Sequence, residues 1–478
     1  METNGLSRRN FLIASAATGL AAALAACAPK ATPAPAAEAP AEKPAEQPTA
    51  KPAEQPAAPT ATPLPAVKEA YTVRFMCRAG AKYLPGYEKI IAEDFIPNNP
   101  GIKVQIEPAP DGWVEKLLAQ MIAGTAVDLF QAWGNIFFNW VERDLLLDCQ
   151  PYVEATMTDA EIADYNDFQW EGLMMRGRRV GMPKYINIMT IRLNKDLFEQ
   201  YGVPLPPEDG EWDHDDYKEM VCALTEGARS AGNNGQWGGW LPGWSWDRFW
   251  NHVHMFGGKV VDEKYGKKCM LGEPEAQEAL KWMYDLQWVD NCHAQPSQVE
   301  NQWPDASMVS GFIATAEDGT YPINVDVEYE GSVDNWDIRH VPKGPTGIRS
   351  VLGTTDAWSI TKQTKNADAS WALLKFLAGP VFQLKAVVSG EGIIPVLKSL
   401  QSDFIAKVRE IRPNLNNVRL ETITEALEWG YPEDTPWFDK QTEATQLINP
   451  ALEKVFTVGD VGPEYFIDVC KEVDATQV

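Results

Sequence analysis

The sequence predicts an α/β protein built as two lobes, and three observations carry that expectation. From Tyr71 onward, short runs of alternating apolar residues are followed by runs of helical periodicity. The foldable part, from about residue 70 to 478, is too long for one compact core and natural for two. Everything before it reads as an export address and a tether.

That leading part begins with Ser7, Arg8, Arg9, Asn10, Phe11 and Leu12, followed by an apolar, alanine-rich run up to Cys27. A twin-arginine pair before a short apolar segment is an export signal, and the segment is too short and too alanine-rich for a permanent membrane helix. Leu24-Ala25-Ala26-Cys27 resembles the lipobox of bacterial lipoproteins, in which the cysteine receives a lipid and becomes the new N-terminus. The resemblance implies removal of residues 1–26 and membrane attachment through Cys27. From Ala28 to Ala66 the chain is almost all Ala, Pro, Glu, Lys, Gln and Thr. With no large apolar residue before Leu64 it cannot offset its ordering entropy by burial, so residues 27–68 are expected to form a disordered tether. At about 3.1 Å per residue in polyproline II form, such a tether reaches on the order of 100 Å.

The chain carries 42 Lys plus Arg against 67 Asp plus Glu, a formal charge of −25. That balance argues against nucleic acid or an anionic membrane surface as partner. Apart from Cys27 there are six cysteines, Cys77, Cys149, Cys222, Cys269, Cys292 and Cys470, with no C-x-x-C spacing to suggest zinc. A chain that folds in a reducing compartment before export needs no bridges to fold, so mostly buried thiols and one bridge are expected.

Along the folded part, "YTVRFMCRAG" reads as a strand, "YEKIIAEDFIPNNP" as a helix stopped by Asn and Pro, and "GIKVQIEPAP" as a second strand. Asp111 is placed to cap a helix whose apolar face is Val114, Leu117, Leu118, Met121 and Ile122, ending at Gly124. "AVDLFQAW" is a third strand. Strands alternating with helices imply parallel pairing, with ligands at the carboxyl ends of the strands, here "RAG" at 78–80 and "WGN" at 133–135. No G-x-G-x-x-G or P-loop follows a strand, which excludes a dinucleotide or nucleotide triphosphate site of those kinds. No cofactor is expected.

The run Asn194, Lys195, Asp196, Leu197, Phe198, then Gly202, Val203, Pro204 and Trp212, Asp213, resembles the extracellular solute-binding proteins of family 1, the maltose-binding-protein group of ABC importers. The resemblance continues in order through Phe256-Gly257-Gly258, "EPEAQEALKWMYDL", "GFIATAEDGTY", "WDIRHVPKGP", "GTTDAWSITKQTKNADASWALLKFLAG" and "GEGIIP". It implies a periplasmic-binding-protein-like fold of type II: two hinged lobes, three chain crossings, and a ligand held between the lobes for a permease, without chemistry. Crossings are expected near Ile186–Thr190, Trp336–Val341 and Trp358–Thr361, giving a first lobe of residues 69–187 and 338–358 and a second of 188–337 and 359–478.

The stretch "GQWGGWLPGWSWDRFW" holds five tryptophans, Trp237, Trp240, Trp244, Trp246 and Trp250. Indoles separated by glycines and a proline suit a loop that shows flat faces, and a sugar ring offers an apolar C–H face with an equator of hydroxyls. Trp237 and Trp250 read as core, whereas Trp240, Trp244 and Trp246 read as ligand platform, with Tyr321 at another platform position implied by the resemblance. Polar partners are expected from the strand ends: Arg78, Trp133, Asn135, Tyr185, Asn187, Glu317, Asp318, Asp356 and Trp358. The resulting expectation is a membrane-tethered, monomeric lipoprotein for a mono- or oligosaccharide. Two alternatives stay open: the same fold for a polyamine or peptide, with a cation over indole faces, and an extracytoplasmic glycoside hydrolase using two carboxylates such as Glu317 and Asp356. Of the five histidines, His252 and His254 lie two apart in a helix-like run, where they point apart and make a poor metal pair.

Overall fold

In the computed structural model the described residues are 70–78, 83–300, 302–320, 335–352, 354–433, 435 and 437–478; the export signal, Cys27 and the tether lie outside them. Nine strands and ten helices among the described residues position the two sheets and the groups at their edges. In chain order they are β1 (Tyr71–Cys77), α1 (Leu84–Ile90), β2 (Ile102–Pro108), α2 (Trp113–Ala123), β3 (Leu129–Trp133) and α3 (Gly134–Glu142). Then come β4 (Met182–Asn187), β5 (Met189–Asn194), α4 (Lys195–Tyr201), α5 (His214–Ser230), β6 (Trp237–Trp240) and α6 (Trp246–Met255). The remainder are α7 (Pro274–Tyr284), β7 (Ile313–Gly319), β8 (Trp336–Arg339), β9 (Thr354–Ile360), α8 (Ala367–Ala378), α9 (Gln441–Leu452) and α10 (Tyr465–Thr476).

Two sheets make two lobes. The first has the order β2-β1-β3-β9-β4, with β1 parallel to β2 and β3, and β9 antiparallel to both β3 and β4. The second has the order β8-β5-β7-β6, in which only β6 and β7 run parallel. The all-parallel expectation therefore holds for β1, β2 and β3 and fails at β9, which returns from a distant part of the chain. Each sheet is covered by helices, and local chemistry starts them: Asn194 accepts from the Leu197 N–H at the head of α4, and Asp213 accepts from the Asp215 and Asp216 N–H groups at the head of α5. Asp111 does not cap α2; Gly112, at φ 64°, occupies the cap position, a left-handed conformation that suits glycine. Of the face expected on α2, Leu117 and Met121 are buried and Ile122 is exposed.

The chain first passes between the sheets at residue 188, since β4 ends at Asn187 in one sheet and β5 begins at Met189 in the other. The second falls at and beyond the end of the expected Trp336–Val341 stretch, and the third lies elsewhere. Residues 336–339 are β8, paired with β5 in the second sheet, so the chain crosses back only between 340 and 353. Residues 358–361 stay with the first sheet, and the chain remains there: α8 packs on β9, β4 and β1, the π-helical segment 383–391 packs on α1 and β4, and the helix at 404–411 packs on that segment. The chain regains the second sheet near Arg419, whose N–H donates to Asp337 of β8 at 2.7 Å. Residues 367–411 thus pack with the first lobe, which was expected to end at 358, because their apolar face (Trp371, Leu374, Leu377) completes the first core.

Two disulfides are present, Cys222–Cys292 and Cys269–Cys470, where one was expected, both in the second lobe. Cys77 and Cys149 are buried thiols in the first. The lobes also touch through a hairpin tip: Arg176 (φ 51°), between strands 174–175 and 178–179, reaches from the first lobe to Asp439 at 3.0 Å and lies 4.3 Å from the Tyr265 ring. Phe138 of α3 stacks on Trp437 at 5.1 Å beside it. No single helix among the described residues is long and apolar enough to cross a membrane.

Candidate functional site

Register places three first-lobe groups in a row. In the ladder across β3, β9 and β4, Asp356 faces Trp133 on one side and Tyr185 on the other, at the carboxyl end of β3. Arg78, just past the end of β1, joins them: its guanidinium donates to Asp356 Oδ2 at 3.1 Å and lies 4.0 Å from the Trp133 ring centre and 5.6 Å from that of Trp113. The Tyr185 hydroxyl donates to the same carboxylate oxygen at 2.7 Å, and Gln131 Nε2 donates to Oδ1 at 3.0 Å. Asp356 is almost wholly buried, yet three donors surround it and one of them, Arg78, is a cation, which is how a carboxylate tolerates loss of water. Burial first, and then the Asp356 charge, hold the Tyr185 phenol well above its ordinary pKa, so it stays a donor. The result is a cation lying on an indole with a carboxylate behind it, partly open to solvent.

The second lobe supplies an aromatic face. Trp244, in the turn between β6 and α6, is 37% exposed and meets Trp303 edge to face at 5.6 Å. Beneath Trp303 lies Arg248 of α6, 5.0 Å from the ring centre, which donates to Asp318 Oδ1 at 2.8 Å. Beside that pair, His252 and Glu317 are 2.8 Å apart and both buried. The glycines of "GQWGGW" have a packing purpose: Gly238 of β6 lies so close to α5 that a Cβ there would be 1.9 Å from the Val221 carbonyl oxygen.

The structure therefore sorts the expected site residues. Arg78, Trp133, Tyr185 and Asp356 come together as one cluster, and Trp244 presents its ring to solvent. Trp240 is buried at 3% exposure, because it ends β6 under the neighbouring elements, and Trp246 turns its N–H to Asn449 of α9 at 2.6 Å. Trp358 is completely buried against Phe75, Tyr87 and Phe382, two residues beyond Asp356 on β9, whose register against β4 shifts between Asp356 and Ala357. Asn187 is buried, and Asp318 is enclosed against Arg248 rather than open. Asn135 opens α3 but its side chain, like Tyr321 as a whole, lies outside the described residues. Trp113, Gln131, Arg248 and Trp303 were not anticipated; the Trp303-Pro304 pair at a helix start was the one local signal. Among the described residues no group of three His, Cys, Asp or Glu side chains is placed to hold a metal ion.

The bacterial extracellular solute-binding protein family matches residues 80–383 by its sequence profile, well over half of the chain. The chain belongs to that family. A Brucella abortus (strain 2308) relative described as a binding protein is 25% identical over 326 residues, 66% of this solute-binding protein and 74% of its own length. Among solved structures, the ABC substrate-binding protein Lmo0181 of Listeria monocytogenes, in complex with cycloalternan, superposes with TM-score 0.71 at 20% identity, covering 85% of this chain and 98% of its own. UgpB of Mycobacterium tuberculosis, in complex with glycerophosphocholine, gives 0.69 at 17% identity over 85% and 98%. The sugar-binding protein MalE of Xanthomonas citri gives 0.66 at 20% over 85% and 97%. At these identities the likeness establishes the two-lobe fold, and the strand ends described above are the places where this solute-binding protein offers polar and aromatic groups together.

Proposed function

We propose that this solute-binding protein is an extracytoplasmic lipoprotein, held to the membrane by a lipid on Cys27, that captures a sugar or oligosaccharide by lobe closure and delivers it to an ABC transporter permease. The observation that carries this reading is the Arg78–Asp356 pair laid on Trp133, with Tyr185 donating to the same carboxylate. An indole covers the C–H face of a sugar ring, while an arginine and a carboxylate side by side give to and accept from neighbouring hydroxyls. The Trp244–Trp303 face supplies a second surface of the same kind. The structural neighbours that carry cycloalternan in Listeria and are called sugar-binding in Xanthomonas support the reading. Binding is favoured over hydrolysis because Asp356 and Glu317, candidate carboxylates for a hydrolase, are each tied to a basic side chain.

A second reading, a zwitterionic solute such as a choline phosphodiester, draws on the glycerophosphocholine neighbour and on exposed indole faces that suit a quaternary ammonium. A thermal-shift screen of residues 67–478 against sugars, oligosaccharides, glycerophosphocholine, polyamines and short peptides, with the mixtures checked for cleaved ligand, separates these. A ligand at 100 times its Kd adds about 2.7 kcal/mol of stability. A saturable rise with an intact sugar supports the proposal; a rise only with the other classes, or cleavage of the sugar, removes it.

A further inference from the structure

We propose that Arg248, held by Asp318, is a positioning residue that fixes the angle of the Trp303 ring and, through it, of Trp244. Both members of the pair are fully enclosed, at 0% side-chain exposure. A buried ion pair is a poor source of stability, since desolvation cancels most of its attraction, so its location is informative. It lies at the head of α6, with the guanidinium 5.0 Å from the Trp303 ring centre, and Trp303 in turn meets the exposed Trp244 edge to face. The carboxylate is itself fixed, accepting from the Gly319 N–H at 2.7 Å. The Trp303 indole N–H finds no hydrogen-bond partner among the described residues, so ring contacts rather than a polar tether set its orientation. A planar cation against an indole face supplies such an orientation, and a lysine at the same place does not.

Deepening the sugar reading, this inference rests on it only for its effect on affinity. The direct readout needs no ligand: paired indoles give a far-ultraviolet exciton couplet in circular dichroism, and the part lost in W244F is the Trp244–Trp303 component. R248K, which keeps the charge opposite Asp318, is expected to lose more than half of that component while its melting temperature stays within a few degrees. R248M, which leaves Asp318 buried without its cation, is expected to lose the component as well and to melt lower; if it fails to fold R248K decides. With maltotetraose as probe in calorimetry, R248K is expected to weaken binding about tenfold. A full-strength component in R248K overturns the proposal, as does a wild-type spectrum with no such component. If wild-type protein does not bind maltotetraose, the functional reading loses that sugar while the spectra still decide the positioning.

Discussion

Asp356 accepts from Arg78, Gln131 and Tyr185 at once, so replacing it by asparagine turns one of its two accepting oxygens into a donor and leaves at least one of the three donors facing an N–H. Asp356→Asn is expected to destabilise the protein by about 1–3 kcal/mol and to lower sugar affinity at least tenfold, read by calorimetry and melting on one sample. Trp244 differs: being 37% exposed, it contributes little to the core. Trp244→Ala is expected to cost about 1–3 kcal/mol of binding, the worth of one lost aromatic contact, with the melting temperature almost unmoved; unchanged affinity would take this residue out of the site. His293 gives a pH dependence. Burial, aided by the charge of His252, pulls its pKa from 6.5 down to about 3, so the folded chain keeps it neutral while the unfolded chain takes a proton. Its stability is fully present above about pH 6.5 and is lost as pH falls, by about 1.4 kcal/mol per unit. Denaturant titrations at pH 7 and 5 should show this slope, and His293→Gln should flatten it. At this scale the sequence told which types of residue to expect at strand ends, and Arg78 and Asp356 were legible for that reason. Trp240 and Trp358 were not, because whether an indole on a strand faces core or cleft depends on a pleat phase that composition does not reveal.

Between elements, close approach and covalent links decide more than propensity. The contact of β6 with α5 is backbone on backbone at Gly238, so Gly238→Ala, whose Cβ would meet the Val221 carbonyl, is expected to destabilise by about 3 kcal/mol. A melt of that variant at wild-type temperature would show that strand and helix can part freely. The bridge from Cys269 to Cys470 ties α10 to the loop ahead of α7 across a long stretch of chain. Replacing both by serine is expected to cost about 2–5 kcal/mol, and a reductant should act on the wild type in the same direction. The strands and helices up to residue 133 could be read from periodicity and turn residues. Cysteine pairing could not, since spacing along the chain carries no information on distance in space.

For the whole molecule, the lobes meet at a few side chains outside the crossings, and Arg176 sits among them against Tyr265 and Asp439. Arg176→Ala is expected to loosen that contact and raise the radius of gyration measured by small-angle scattering; an unchanged profile would assign the lobe arrangement to the crossings alone. The crossings themselves were half legible. The first follows from a strand-to-strand step at residue 188, whereas the later ones hinge on which sheet claims β8 and β9, a long-range choice with no local signature. That choice has a consequence for synthesis. β9 sits in the middle of the first sheet, between β3 and β4, although it is encoded after the whole of the second sheet. Until residue 360 has left the ribosome, β3 and β4 have no partner on their facing edges, and the nascent first lobe exposes two open strand edges. Such a chain profits from being kept unaggregated until it is complete, because its first lobe cannot be finished before nearly all of it has been made.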